Sequence, residues 1–163
     1  MSTESVPPLV FCVLGPPVAK ERPRVVVHNG RPHAYTPSRT VNYELLVGNV
    51  ALTHIAKRYH QLRAVSPETP ASAHTWPMDR FYRLTVDFYS ATRVRADLDN
   101  YAKAIFDGLN AIAYSDDWRV LSLHAERYCD RLRPRAEIRV DVIPSRFTDE
   151  PSLRRRKPKP VSP

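Results

Sequence analysis

Alternation and helical rhythm divide the chain into short segments. Residues 9–14, LVFCVL, make a continuous apolar run between Pro8 and Gly15, which has the length and flanks of a buried strand. Residues 15–24, GPPVAKERPR, follow. Their prolines forbid regular helix and stiffen an extended basic arm. Residues 25–27 and 33–35 flank Asn29-Gly30 and predict a small hairpin. Thr36-Pro37 predicts a helix start, with Thr36 as the cap and Pro37 in the first position. The helix runs over residues 38–62, and Tyr43, Leu46, Val47, Val50 and His54 mark its buried face. Residues 64–79 contain Pro67, Pro70 and Pro77 among Ser, Thr and Ala, and predict a long loop insertion, mobile or functional.

The second half repeats the two rhythms. Tyr82, Leu84, Val86 and Phe88 alternate with Arg83, Thr85 and Asp87, the pattern of a half-buried strand over 81–89. A polar, basic stretch leads to Asp97. A helix is predicted over 99–112, with Tyr101, Ala104, Ile105, Gly108, Leu109 and Ile112 as its packed stripe. After a turn at 115–117 come two strands, 119–128 and 136–143, joined by CDRLRP. The sum is an α/β (α+β) fold, a single domain over residues 9–143 with a mixed β-sheet packed by two main helices. A flexible lead (1–8) precedes it and a disordered basic tail (144–163) follows.

Composition supports one domain of this size. The chain has 163 residues, of which 42% are hydrophobic and 26% charged. The net charge of +8 favours a polyanionic partner, and residues 144–163 carry a net +4 of it. Two cysteines, Cys12 and Cys129, lie far apart with no CxxC spacing. Six histidines stand singly. This pattern fits a reducing compartment and gives no zinc site. No signal peptide is seen and no run approaches the roughly 20 apolar residues of a membrane span. A cytoplasmic protein with no membrane partner is expected.

A basic chain that keeps acids close together raises a question of charge. Asp97 and Asp99 lie two apart, and extended residues repeat with period two, so both side chains can point one way at a helix start. The helix N-terminus eases their repulsion. Asp116 and Asp117 open the next strand, which the sheet can bring back beside Asp97. Three converging carboxylates suit Mg²⁺ or Mn²⁺, and such an ion can bind a phosphate oxygen and activate water. Lys103, four residues after Asp99, lies on the same helix face and can contact a scissile phosphate. A second reading of the same residues stays open: DLDN as a helix cap, Asp99–Lys103 as an i, i+4 ion pair, and Asp116-Asp117 as a turn.

The run DLDNYAKAIFDGLNAIAYSDDWRV resembles the signature of the RusA-type Holliday junction resolvases (crossover junction endodeoxyribonucleases) of bacteria and their phages. The segments PPVAKERPRVVV and AYTPSRTVNYE resemble the family's K-x-R-P-R arm, Y-T-P helix start and Tyr-Glu pair, and the likeness extends in order over residues 9–143. The resemblance implies a homodimer that binds four-way DNA junctions and nicks two strands symmetrically with Mg²⁺ or Mn²⁺, in recombination and repair, with no small-molecule cofactor. It implies a bacterial or phage-encoded, nucleoid-associated protein. It carries catalytic and metal-binding roles to Asp97, Asp99 and Asp117, the catalytic lysine to Lys103 and a supporting metal role to Asp116. Lys20, Arg22 and Arg24 are implied as phosphate contacts. Three residues depart from the family pattern: Ala96 for a frequent proline, Tyr101 for an aliphatic residue and Ala111 for a frequent glycine.

Two other functions compete. A haloacid-dehalogenase-like phosphatase also uses D-x-D, but its first Asp follows an apolar strand, and here the approach is TRVRA. A non-catalytic basic DNA-binding protein would use the acids only as caps and turns. A nuclease acting on other branched DNA, such as forks or flaps, keeps the same chemistry on a different substrate.

Overall fold

The computed structural model describes residues 6–93 and 95–145. Residues 1–5 of the predicted lead and 146–163 of the predicted tail lie outside the described residues. Among the described residues, six strands and three α-helices follow one another: β1 (Leu9–Leu14), β2 (Arg24–His28), β3 (Arg31–Tyr35), α1 (Ser38–Val65), α2 (Ala71–His74), β4 (Phe81–Ser90), α3 (Leu98–Leu109), β5 (Val120–Cys129) and β6 (Arg135–Ile143).

Four strands form one mixed sheet in the order β1-β6-β4-β5. β6 is antiparallel to both of its neighbours, and β4 runs parallel to β5. A parallel pair needs a long crossover, and α3 supplies it. The alternation in the strands selects the face. Leu9, Phe11 and Val13 of β1, Leu84, Val86 and Phe88 of β4, and Ala136, Ile138 and Val140 of β6 all join one core with α1 and α3. Leu84, Val86 and Phe88 are fully buried, each contributing about 1.5–3 kcal/mol. The opposite face carries Arg83, Asp87, Arg135, Glu137 and Arg139, with ion pairs such as Arg135–Glu137 at 2.7 Å. Fold class therefore follows the hydrophobic pattern: one mixed sheet with two main helices on it.

The two helices meet at glycines. A Cβ on Gly48 would stand 2.8 Å from the Gly108 carbonyl oxygen, and one on Gly108 would stand 2.7 Å from the Glu44 carbonyl oxygen. Only hydrogen at both positions lets the backbones of α1 and α3 approach so closely. This contact sets Glu44 of α1 beside Asp107 of α3.

β2 and β3 form a separate hairpin. Asn29 and Gly30 both have positive φ, 50° and 71°, as a two-residue type I′ turn requires.

Element ends differ from expectation. Pro37, not Thr36, is the cap residue of α1, with no side-chain cap bond, and the helix continues to Val65. Leu46 is 42% exposed rather than buried, because the α1 stripe runs through Tyr43, Val47 and Ala51. α3 stops at Leu109, short of residue 112, because Ala111 takes a left-handed φ of 58°. Asp117–Arg119 forms a 3₁₀ turn before β5 instead of opening the strand.

The segment 64–79 is not the plain loop its prolines imply. It holds the end of α1, the short α2, and buried His74 and Trp76. His74 Nε2 lies 3.1 Å from the Ser66 carbonyl oxygen. The Trp76 ring stacks on Tyr82 in the core, and its Nε1–H donates to the Ala113 carbonyl at 2.7 Å.

Candidate active site

Three segments far apart in sequence bring charge to one surface of α3. The arm after β1 is pinned to both helix starts: the Lys20 N–H donates to the Asn100 carbonyl at 2.9 Å, and the Glu21 N–H to Thr40 Oγ1 at 3.3 Å. This delivers Lys20 to the acids. Its Nζ reaches Glu44 Oε1 at 2.7 Å and Asp107 Oδ2 at 2.5 Å. The other oxygen of Asp107 takes Lys103 at 3.0 Å, one helical turn earlier on α3, and Lys103 also reaches Asp117 Oδ2 at 2.9 Å. The result is a chain of alternating charge, Glu44–Lys20–Asp107–Lys103–Asp117.

The Lys103–Asp117 end of this chain is the more exposed. Glu44 and Asp107 are 18% and 23% exposed, while Lys103 and Asp117 are 48% and 38% exposed. The Asp117 end therefore faces solvent. The Lys103 hydrogen bond, against a smaller opposing effect of burial, holds the Asp117 carboxyl below its usual range. Lys103 is pushed up by its bonds to Asp117 and Asp107. For Lys20, burial disfavours the charge, but the bonds to Asp107 and Glu44 outweigh it and leave the amine raised. Both lysines stay cationic at neutral pH.

Asp97 and Asp99 stand at the start of α3, both exposed. Asp97 occupies the cap position in extended backbone but makes no side-chain cap bond. Asp99 Oδ1 accepts from the neighbouring Asn100 N–H at 2.8 Å. The Asp99–Lys103 ion pair of the second sequence reading does not form, because Lys103 turns toward Asp107 and Asp117. Asp99, Lys103 and Asp107 are nonetheless spaced i, i+4, i+8 and share one helix face. Asp116 is exposed beside Asp117.

The loop carrying Asp117 is held by the 64–79 segment. Beyond the Trp76–Ala113 bond, the Ser115 N–H donates to the Met78 carbonyl at 3.0 Å. Arg119 bonds to Ser115 Oγ at 2.7 Å and to the Asp79 carbonyl at 3.0 Å. Fully buried Tyr114 anchors the loop from the other side, its hydroxyl donating to the Phe106 carbonyl at 3.1 Å.

The donor set suits a hard divalent cation. Asp97, Asp99 and Asp117 offer carboxylate oxygens at the surface, the ligand type of Mg²⁺ and Mn²⁺. Among the described residues, no three His, Cys, Asp or Glu side chains already stand close enough to hold an ion. The expected convergence of the three aspartates is thus not seen in the side-chain positions, where Lys103 takes up Asp117.

Of the arm residues, Lys20 points into the acids. Arg22 is exposed, and Arg24 is exposed with a 3.2 Å pair to Glu21. Glu44 and Asp107 received no role from sequence. Both lie inside the quoted motifs, Glu44 in the Tyr-Glu pair and Asp107 in DGLN. The i, i+4 spacing of Lys103 and Asp107 was the available signal.

Residues 15–141 match the family described as endodeoxyribonuclease RusA. The chain is also 27% identical over 147 residues to an uncharacterized protein, YqaN, of Bacillus subtilis (strain 168), covering 82% of this chain and 95% of that one.

Proposed function

Because the chain belongs to the RusA family of endodeoxyribonucleases, we propose that it resolves four-way DNA junctions by metal-dependent hydrolysis, with paired symmetric nicks made by a homodimer. The observation that carries this reading is the meeting of Lys103 and Asp117, 2.9 Å apart, from two separated acidic motifs at an exposed surface.

Asp97, Asp99 and Asp117 would hold Mg²⁺ or Mn²⁺, with Asp116 as support. When bound, the ion supplies charge stabilisation to the phosphate and lowers the pKa of water. The protein residues do the rest. Lys103, kept protonated by its two carboxylates, offers a cation to the scissile phosphate where negative charge grows. Asp107 orients that ammonium. Arg22 and Arg24 contact neighbouring phosphates, which gives affinity without sequence choice. A two-fold dimer presents the same site twice to a two-fold junction.

The test is incubation of a labelled four-way junction and an equal-length duplex with the protein, with and without Mg²⁺, alongside Asp97→Asn. Paired nicks in the junction alone, lost without metal and in the variant, are expected. Cleavage of forks or flaps in preference to junctions would move the substrate to other branched DNA. Tight binding with no cleavage in Mg²⁺ or Mn²⁺ would leave a DNA-binding protein without catalysis.

A further inference from the structure

The carboxyl ends of the parallel pair β4 and β5 open into a cleft of about 290 Å³, lined by Ser90, Thr92, Arg93, Arg127, Tyr128 and Cys129. Among the described residues, its lining holds two guanidiniums and two aliphatic hydroxyls, and no carboxylate. The crevice beyond the carboxyl ends of parallel strands is where open α/β sheets commonly bind ligands.

The strand register builds the floor. Ser90 pairs with Cys129, and Phe88 with Arg127, so Ser90 and Arg127 share the face that the helices cover. Ser90 is 6% exposed, and its Oγ has no hydrogen-bond partner among the described residues. Buried hydroxyls are nearly always paired, so this one lacks an acceptor that the described residues do not supply. Arg127 is fixed in place: its Nη1 donates to the Ala96 carbonyl at 2.6 Å, and its guanidinium stands 5.1 Å from the centre of the Tyr101 ring. Ala96 precedes Asp97, so the same arginine ties the cleft to the acidic segment. Arg93, at the rim, is exposed.

We propose that this cleft seats a backbone phosphate of the bound DNA, displaced from the cut site, with Arg93 and Arg127 binding its charge and the Ser90 hydroxyl donating to a phosphate oxygen. A phosphate oxygen between the arginines is the acceptor that Ser90 lacks, and guanidinium forks match phosphate geometry. The proposal rests on the DNA-cleaving reading above, and it extends the DNA contact to the far end of β4.

The test measures junction binding without divalent metal over a salt series, for the wild type, Arg93→Gln and Ser90→Ala. Arg93→Gln is expected to weaken binding by about 5- to 10-fold and to lower the slope of log K against log salt by about 1, with an unchanged melting temperature. Ser90→Ala is expected to weaken binding by a smaller factor with no change in slope. Wild-type affinity and slope in Arg93→Gln would overturn the proposal. So would a melting temperature raised by millimolar inorganic phosphate through Arg93 while junction binding is indifferent to it, since the cleft would then serve a free anion. Failure of cleavage by the wild type in Mg²⁺ and Mn²⁺ would overturn the nuclease reading separately, because the binding series needs no metal.

Discussion

Asp107 is shared by two lysines: Lys20 bonds one of its carboxylate oxygens at 2.5 Å and Lys103 the other at 3.0 Å. Lys20 arrives from the arm after β1 and Lys103 from the same helix, so one carboxylate joins the arm to the candidate cut site. Asp107→Asn keeps the shape and removes the charge. Its expected effect is about a tenfold fall in cleavage rate at unchanged junction affinity, since a charge-assisted hydrogen bond is worth about 1.5–3 kcal/mol and 1.4 kcal/mol is tenfold in rate. Single-turnover cleavage set beside a binding isotherm separates the two quantities.

The Asp117–Lys103 pair sets a pH window for stability. The Asp117 carboxyl is depressed below its ordinary 3.8 by the Lys103 hydrogen bond, and Lys103 is raised above 10.5. A depressed carboxylate contributes stability above its unfolded pKa, and that contribution is lost as pH falls through the folded value. A raised lysine contributes below its unfolded pKa, and loses it as pH rises through the folded value. Wild type is therefore expected to melt above Asp117→Asn across the neutral range, with the gap closing below about pH 4 and again above about pH 10. Melting temperatures over a pH series check this. A gap that does not narrow as pH falls below about 4 would count against the pair as its source.

Much of the fold was legible because strand alternation and turn chemistry are local. Tyr82, Leu84, Val86 and Phe88 gave β4 its buried face, and Asn29-Gly30 gave the hairpin. Glu44 and Asp107 were not legible as partners of Lys20. They lie 24 and 87 residues from it, and what joins them is the close helix crossing at Gly48 and Gly108, a tertiary contact with no periodic signature. Trp76 was hidden for another reason. Its neighbours Pro70 and Pro77 mark a loop, and a single buried aromatic makes no rhythm.

That hidden tryptophan acts on the Asp117 loop. Trp76→Phe keeps most of the ring but leaves the Ala113 carbonyl without its donor. The expected cost is about 1–2 kcal/mol, seen as a melting temperature lower by about 2–8 °C. Because Ala113 begins the loop that carries Asp117, cleavage rate is also expected to fall while junction affinity holds. A lower melting temperature with an unchanged rate would confine Trp76 to the core.

Ala111 departs from the glycine frequent in the family, and the structure shows the consequence. Its φ of 58° is left-handed, which costs a residue with a Cβ about 1–2 kcal/mol. Ala111→Gly is expected to stabilise the protein by about 0.5–1 kcal/mol after the added unfolded-chain entropy of glycine. Urea denaturation measures it. A loss of stability would show that the Ala111 side chain makes a compensating contact.

The cut site we propose is built on Asp117 and Lys103. Its most direct test is the single-turnover rate on a four-way junction in saturating Mg²⁺, comparing wild type with Asp117→Asn and Lys103→Ala. Each variant is expected to bind the junction and to cut it at least about 100-fold more slowly. Cleavage by both variants within about threefold of wild type would contradict it.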